Sequence, residues 1–372
     1  MIRAMKQIPV GINYPWLKYG WDFGAPPVAW LGGQSPEEWR TQKRQRIADD
    51  FREFAGLGIF AVRWFLLADG LNYGFGSDAP QTDGTEWSFS PLPSQHPFHA
   101  PLGDDFEFVL QTCAALKLKL VPSLIDFHFC FPGTVADQNN GVIKCGRADV
   151  VRDSAKREMF FESVLEPLLA VSLKYPQTIY AWEPINEPEW CTQKKSFLGL
   201  RRSPDPNRTV PLAAMREFIA RANARISDAR LPDGSRAFDS TIGFAHWETI
   251  SDWEAGELGI TLEQFHYYAQ DNDSLPSYDL SLKAPCFIGE FASAVERPWP
   301  ELKEFGLAQT LTHRLQWIAE KGYSAAFLWS ARAEDQATLW TRDEHRELAG
   351  FLQQSSDSTA QARTRNTKTE LI

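Results

Sequence analysis

Apolar residues along the chain fall into eight short runs, and between the runs they recur every three or four positions. The runs are VGIN (10–13), IFAVRWF (59–65), KLVPSLIDFHF (119–129), TIYAWEPINE (178–187), STIGFAHW (240–247), LEQFHYY (262–268), APCFIGEF (284–291) and YSAAFLWS (323–330). Several are apolar at consecutive rather than alternate positions, the mark of strands buried on both faces. The stretches between them read as amphipathic helices. Residues 36–58 place Ile47, Phe51, Phe54 and Ala55 on one face and reach a glycine at the end. Further helices are expected at 105–118, 155–175, and near 211–228, 304–321 and 343–353. This α/β alternation predicts a closed parallel (β/α)8 barrel, the TIM barrel architecture. A doubly wound open sheet is the main rival, but no glycine-rich turn follows a strand where that fold needs one. No repeat or linker divides the chain. Residues 1–354 are therefore read as one catalytic domain with long βα loops, and the polar stretch 355–372 as a disordered tail.

Barrels of this kind carry their sites at the C-terminal ends of the strands. Polar and aromatic residues collect there: Arg63 on the second run, Asp126 and His128 on the third, Asn186 and Glu187 on the fourth. His246 and Trp247 follow on the fifth, His266 and Tyr268 on the sixth, Glu290 on the seventh and Trp329 on the eighth. Runs four and seven face each other across a barrel mouth, which sets Glu187 against Glu290. Two carboxylates flanking a glycosidic bond suit its hydrolysis: one protonates the leaving oxygen, the other attacks the anomeric carbon or activates water. The attacking version requires the pair roughly 5 Å apart. The two groups need different pKa values. Arg63 is expected to keep Glu290 ionised, and Tyr268 to hold one of its oxygens. Neighbouring strand residues point to opposite faces, so Asn186 and Glu187 reach one cleft only if the chain bends at the rim, where Pro188 ends the ladder.

Composition narrows the partners. The chain has 372 residues with 38 basic and 48 acidic side chains, a formal charge of −10, which argues against nucleic acid. Fourteen tryptophans exceed what a dry core needs, and flat indole rings stack on the C–H faces of sugars. No apolar run reaches the ~18 residues of a membrane span, and no signal peptide is visible. The expected location is cytoplasmic, or secreted if a leader has been removed. Cys113, Cys130, Cys145, Cys191 and Cys286 show no CxxC spacing and are expected to be free thiols.

The segments WEPINEP, FIGEF, VRWF, IDFH, the His266-x-Tyr268 pair and FLWS together resemble clan A retaining glycoside hydrolases, most closely family 5, which includes cellulases and mannanases. The resemblance spans about residues 8–353. It implies that Glu187 is the acid/base and Glu290 the nucleophile. Asn186 would hold the sugar 2-hydroxyl, His128 and His266 the sugar or the acid/base, and Trp329 the sugar before the cut. Arg63, His246, Trp247 and Tyr268 complete the expected substrate site. The implied partner is a β-linked gluco- or manno-configured saccharide or glycoside, with no cofactor and no metal.

Other readings stand beside these. Glu187 and Glu290 would also serve as structural ion pairs at strand ends. Glu183 is expected to anchor its strand, and Asp126 to support rather than react. His246 and Glu248 divide between subsite and structure. Trp16, Trp21, Trp30 and Trp87 divide between loop core and sugar platform. Asp126, His128, Glu187, His266 and Glu290 include ligand types for a divalent ion, so a metal-dependent sugar isomerase is a rival, as is a non-catalytic sugar-binding protein. The long loops at 14–30, 68–103 (with His96 and His99) and 194–208 are expected to fold over an open groove. Lys194, Lys195, Arg201 and Arg202 form a basic run, read as a solvated face or as a contact for an anionic glycoside.

Overall fold

The computed structural model describes residues 8–15, 32–70, 73, 76–78, 88–90, 102–137, 142–193, 205–268, 275–277, 284–292, 311–331 and 346–353. Trp16, Trp21, Trp30, Trp87, His96, His99, the basic residues 194, 195, 201 and 202, and the tail 355–372 lie outside the described residues. Seven parallel strands form one sheet in the order Glu183–Asn186, Lys119–Asp126, Ala61–Phe65, Val10–Asn13, Ala326–Trp329, Cys286–Ala292, Glu263–Tyr267. Chain neighbours are mostly sheet neighbours, and the first strand pairs with the last, Val10 opposite Ala326. That pairing curls the sheet.

The expected strand at 240–247 is not a regular strand. Its backbone makes isolated parallel bridges, Ser240 to Trp182 and Gly243 to Asn186 on one side, Phe244 to Phe265 on the other. The segment thus spans the two sheet edges. Its ladder is interrupted because its groups have other partners: the Phe244 N–H donates to Ile242 O within the segment, and the Ala245 N–H donates to the Glu189 carboxylate. Trp247 begins a short helix, Trp247–Asp252.

The helices explain themselves locally. Pro36–Leu57 opens with a capping box: Ser35 Oγ accepts from the Glu38 N–H, and the Glu38 carboxylate accepts from the Ser35 N–H at 2.7 Å. It ends at Gly58, whose φ of +87° suits glycine. The helix expected at 155–175 runs through Ser154–Phe160, widens into a π-turn at Phe161–Leu165 and resumes at Glu166–Ser172. Pro167 has no N–H to donate into the preceding turn, which fits a widened register just before it.

The interior of the curled sheet is layered. Ala61, Val121, Phe287, Ala325 and Phe327 form a buried cluster with Phe60 and Tyr180 packed against it. Their rings meet edge-on, Phe60 to Tyr180 at 5.3 Å and Tyr180 to Phe287 at 5.6 Å. Toward the strand exits this aromatic plug gives way to Arg63, Glu183 and Gln264, all fully buried. Polar side chains at that depth survive only if they satisfy one another, and this requirement builds the site. Among the described residues no helix is long and apolar enough to cross a membrane, and all five cysteines are free and buried.

Candidate active site

Arg63 is the hub of the mouth. Its guanidinium donates to Glu183 from Nε (2.9 Å) and Nη2 (2.6 Å), a two-pronged clamp. Nη1 donates to Glu290 Oε1 at 2.6 Å and to Asn13 Oδ1 at 2.8 Å, and Nη2 also donates to Asn186 Oδ1 at 2.6 Å. Gln264 Nε2 donates to Glu183 Oε2 at 2.8 Å, and Asn186 Nδ2 to Asp126 Oδ2 at 2.8 Å. Glu183 is therefore the anchor expected of it, and Asp126 supports Asn186. Asn13 and Gln264 escaped the sequence reading. Each is a polar residue inside an apolar run, a signal for a buried partner that does not say which one.

Two glycines make room for this network. A Cβ on Gly289 would stand 2.3 Å from Gln264 Nε2, and one on Gly243 would stand 2.9 Å from Arg63 Nη2. Gly289 also marks a register shift, between Ile288 and Glu290, in the pairing with Glu263–Tyr267. Such a bulge re-aims the side chain that follows.

The bend expected after Asn186 is present. Glu187 takes left-handed backbone angles, φ +42° and ψ +52°, and its N–H donates to Gly243 O at 2.7 Å. A residue with a Cβ holds that conformation at a cost of order 1–3 kcal/mol, tolerated where surroundings enforce it. In consequence Asn186 and Glu187 both reach the mouth.

One side-chain atom from each of Glu187, His266 and Glu290 lies within 4.8 Å of the others. His266 Nδ1 is 2.7 Å from Glu187 Oε1 and 3.4 Å from Glu290 Oε2. Tyr268 OH donates to Glu290 Oε2 at 2.6 Å, and Trp190 Nε1 donates to Glu187 Oε2 at 3.0 Å. Burial, reinforced by the Asp126 charge, pushes Glu187 up to about 8. Burial also raises Glu290, with His266 and Arg63 pulling it back. At Glu290, then, desolvation outweighs the pull of the Arg63 cation that was expected to favour its ionised form. Burial lowers His266 to about 4, so its ring is neutral at neutral pH.

His128 lies at the rim, its side chain 38% exposed, paired with the Asp126 carboxylate, with the Phe127 ring tilted over it and Phe131 edge-on. Burial pulls its pKa down, but Asp126 outweighs that and leaves it raised. Trp329 is nearly buried and meets Phe65 edge-on at 6.2 Å, in a small cluster that Tyr268 joins. His246 is exposed and stands edge-on to Trp190 at 6.0 Å. Trp247 is half-buried and packs against the main hydrophobic core. It opens a helix rather than continuing a strand, which a strand reading did not foresee. Trp190 was also missed as a site residue, although it stands in the same motif as Glu187.

No protein-family model matches the chain, and no curated protein matches it in sequence. Solved structures do match in shape. A β-1,4-D-mannanase from Cryptopygus antarcticus superposes with a TM-score of 0.60 at 16% identity, covering 92% of this chain and 89% of that one. An endo-1,4-β-mannanase from Eisenia fetida gives 0.59 at 18% identity, covering 95% and 91%. An exo-β-1,4-mannosidase from Opitutaceae bacterium strain TAV5 gives 0.55 at 16% identity, covering 96% and 60%. At these identities the likeness is one of fold: the chain is built like these two mannanases and this mannosidase.

Proposed function

We propose that the protein is a retaining β-glycosidase of clan A, family 5, on a closed eight-stranded barrel whose fifth staves are residues 240–244. The observation that carries this reading is the approach of Glu187 and Glu290 to within 4.8 Å, with His266 between them. That separation suits direct attack and leaves little room for an intervening water. Glu290 receives hydrogen bonds from Arg63 and Tyr268, both of which favour its ionised form, so it is assigned as nucleophile. Among the described residues no Lys or Arg contacts Glu187, and it has the pKa of about 8 that a proton donor needs at neutral pH, so it is assigned as acid/base. Glu290 bonds to the anomeric carbon as Glu187 passes its proton to the departing oxygen. Glu187, now ionised, then takes a proton from the water that releases the sugar. Asn186, His128 and Trp329 are the proposed sugar contacts. The fold neighbours favour a manno-configured substrate.

A metal-dependent sugar isomerase draws on the same three residues, which are capable ligands for a divalent ion. Against it, the Arg63 guanidinium sits 2.6 Å from one Glu290 oxygen and would repel a cation there. Turnover of aryl β-mannosides and β-glucosides, with proton NMR of the first-formed product, tests the proposal. It expects the β-anomer first, loss of activity in Glu187→Gln and Glu290→Gln on substrates with poor leaving groups, and indifference to EDTA. An α-anomer first, or EDTA-sensitive isomerisation, would overturn it.

A further inference from the structure

A cleft of about 710 Å³ opens at Trp190, the residue whose N–H reaches Glu187, and is walled by Trp190, His246, Trp253, Glu189, Glu248 and Asp252 among others. Its walls come from the chain following Glu187 and from the segment around 246–253. Among the described residues, none comes from the strands that carry Glu290 or Trp329 or from the strand that leads to Tyr268. The cleft therefore lies on the proton donor's side of the carboxylate pair. In double displacement that is the side to which the broken C1–O bond releases its oxygen. The volume falls within the range of built small-molecule sites, ~300–1,000 Å³, and exceeds what one pyranose fills.

Trp190 joins the cleft to the carboxylate. Its indole N–H donates to Glu187 Oε2 at 3.0 Å, and the residue is 39% exposed, one of the most exposed large hydrophobics among the described residues. His266 meets the other oxygen of Glu187, so Trp190 and His266 together fix the plane of the carboxyl group. An exposed indole face in a polar cleft costs free energy unless something flat and apolar covers it, and the C–H face of a sugar does so. Three carboxylates, Glu189, Glu248 and Asp252, stand among the described lining residues. The guanidinium of Arg208 is turned to the backbone, where Nη1 donates to the oxygens of Glu189 and Thr192.

We propose that Trp190 is a positioning residue that ties proton donation by Glu187 to a saccharide leaving group of two or more sugar units, neutral or amino-bearing, seated in this cleft. The proposal rests on the glycosidase reading above. Trp190 holds the departing sugar by its face and orients the donor by its N–H. A leaving group that needs no proton escapes the second effect.

The test compares Trp190→Phe and Trp190→Ala with the unaltered protein on a β-1,4-manno-oligosaccharide and on a 2,4-dinitrophenyl β-glycoside. Phenylalanine keeps a flat face and loses the N–H. The expected result is a fall in kcat/KM for the oligosaccharide at least about tenfold larger than for the dinitrophenyl glycoside. The basic limb of the pH profile also moves to higher pH, because a hydrogen bond to the ionised carboxylate is gone. Trp190→Ala adds a rise in KM confined to the oligosaccharide. Equal losses on both substrates with an unmoved basic limb would overturn the inference while leaving the glycosidase reading intact. Failure of the unaltered protein to turn over either substrate would overturn both.

Discussion

His266 Nδ1 lies 2.7 Å from Glu187 Oε1 and 3.4 Å from Glu290 Oε2, so one neutral imidazole touches both carboxyl groups of the mouth. With burial holding its pKa near 4, the ring adds no positive charge that would strip the proton from Glu187. It donates at most one hydrogen bond from Nδ1. Its Nε2 is buried without a hydrogen-bond partner among the described residues. Geometry and charge state thus act together: the ring bridges the two carboxyl groups without offsetting the burial that raises Glu187 to about 8.

The first prediction concerns pH. The nucleophile must be ionised and the donor protonated, so kcat/KM should follow a bell. The basic limb reports Glu187 and is expected near 8, with activity falling as pH rises through that value. The acid limb reports Glu290 and is expected above the ordinary carboxylate value of 4.5, with activity falling as pH drops through it. A profile on an unactivated glycoside checks both. A basic limb below pH 6 would contradict the assignment of Glu187.

Removing the hub should be severe. Arg63→Met leaves the fully buried Glu183 carboxylate without its cation and deprives Glu290 of one of its two donors. Breaking a buried pair by deleting one partner costs about 3–5 kcal/mol. Urea unfolding followed by tryptophan fluorescence should show a loss of that size together with loss of turnover. A change under 1 kcal/mol would mean that the network is not what holds the strand exits together.

Gly289→Ala tests the cradle rather than the chemistry. The new methyl group would stand 2.3 Å from Gln264 Nε2, so the Gln264–Glu183 hydrogen bond must give way. Overpacking of this kind costs about 1–3 kcal/mol. Glu290 is the next residue, so kcat should fall as well. A Gly289→Ala protein with unchanged melting temperature and kcat would show that the strand has slack there.

The sequence carried the residue types and their order better than their surroundings. Glu187, Glu290, Arg63, His266 and Tyr268 were legible because polar residues at the ends of apolar runs have few other reasons to be there, and the structure gathers those five into one network. The bend at Glu187 followed from period-two geometry plus Pro188. Other features were hidden because they depend on distant segments. Gly243 and Gly289 matter only when Arg63 and Gln264 arrive beside them. The segment 240–244 reads as a strand by composition, yet the carboxylate of Glu189 claims the Ala245 N–H beyond it. Trp247 read as a strand-exit residue and proved to be the first residue of a helix. The strength of desolvation at Glu290 depends on how completely the mouth is closed, and no local pattern encodes that.

The most direct test of the account is to trap its central bond. A 2-deoxy-2-fluoro β-mannosyl or β-glucosyl donor with a good leaving group slows release of the glycosyl-enzyme more than its formation. Peptide mass spectrometry then identifies the residue that carries the sugar. One glycosyl unit attached at Glu290 is expected, with no labelling of Glu290→Gln. A label on Glu187, or inactivation by such a donor with no covalent sugar on either carboxylate, would contradict it.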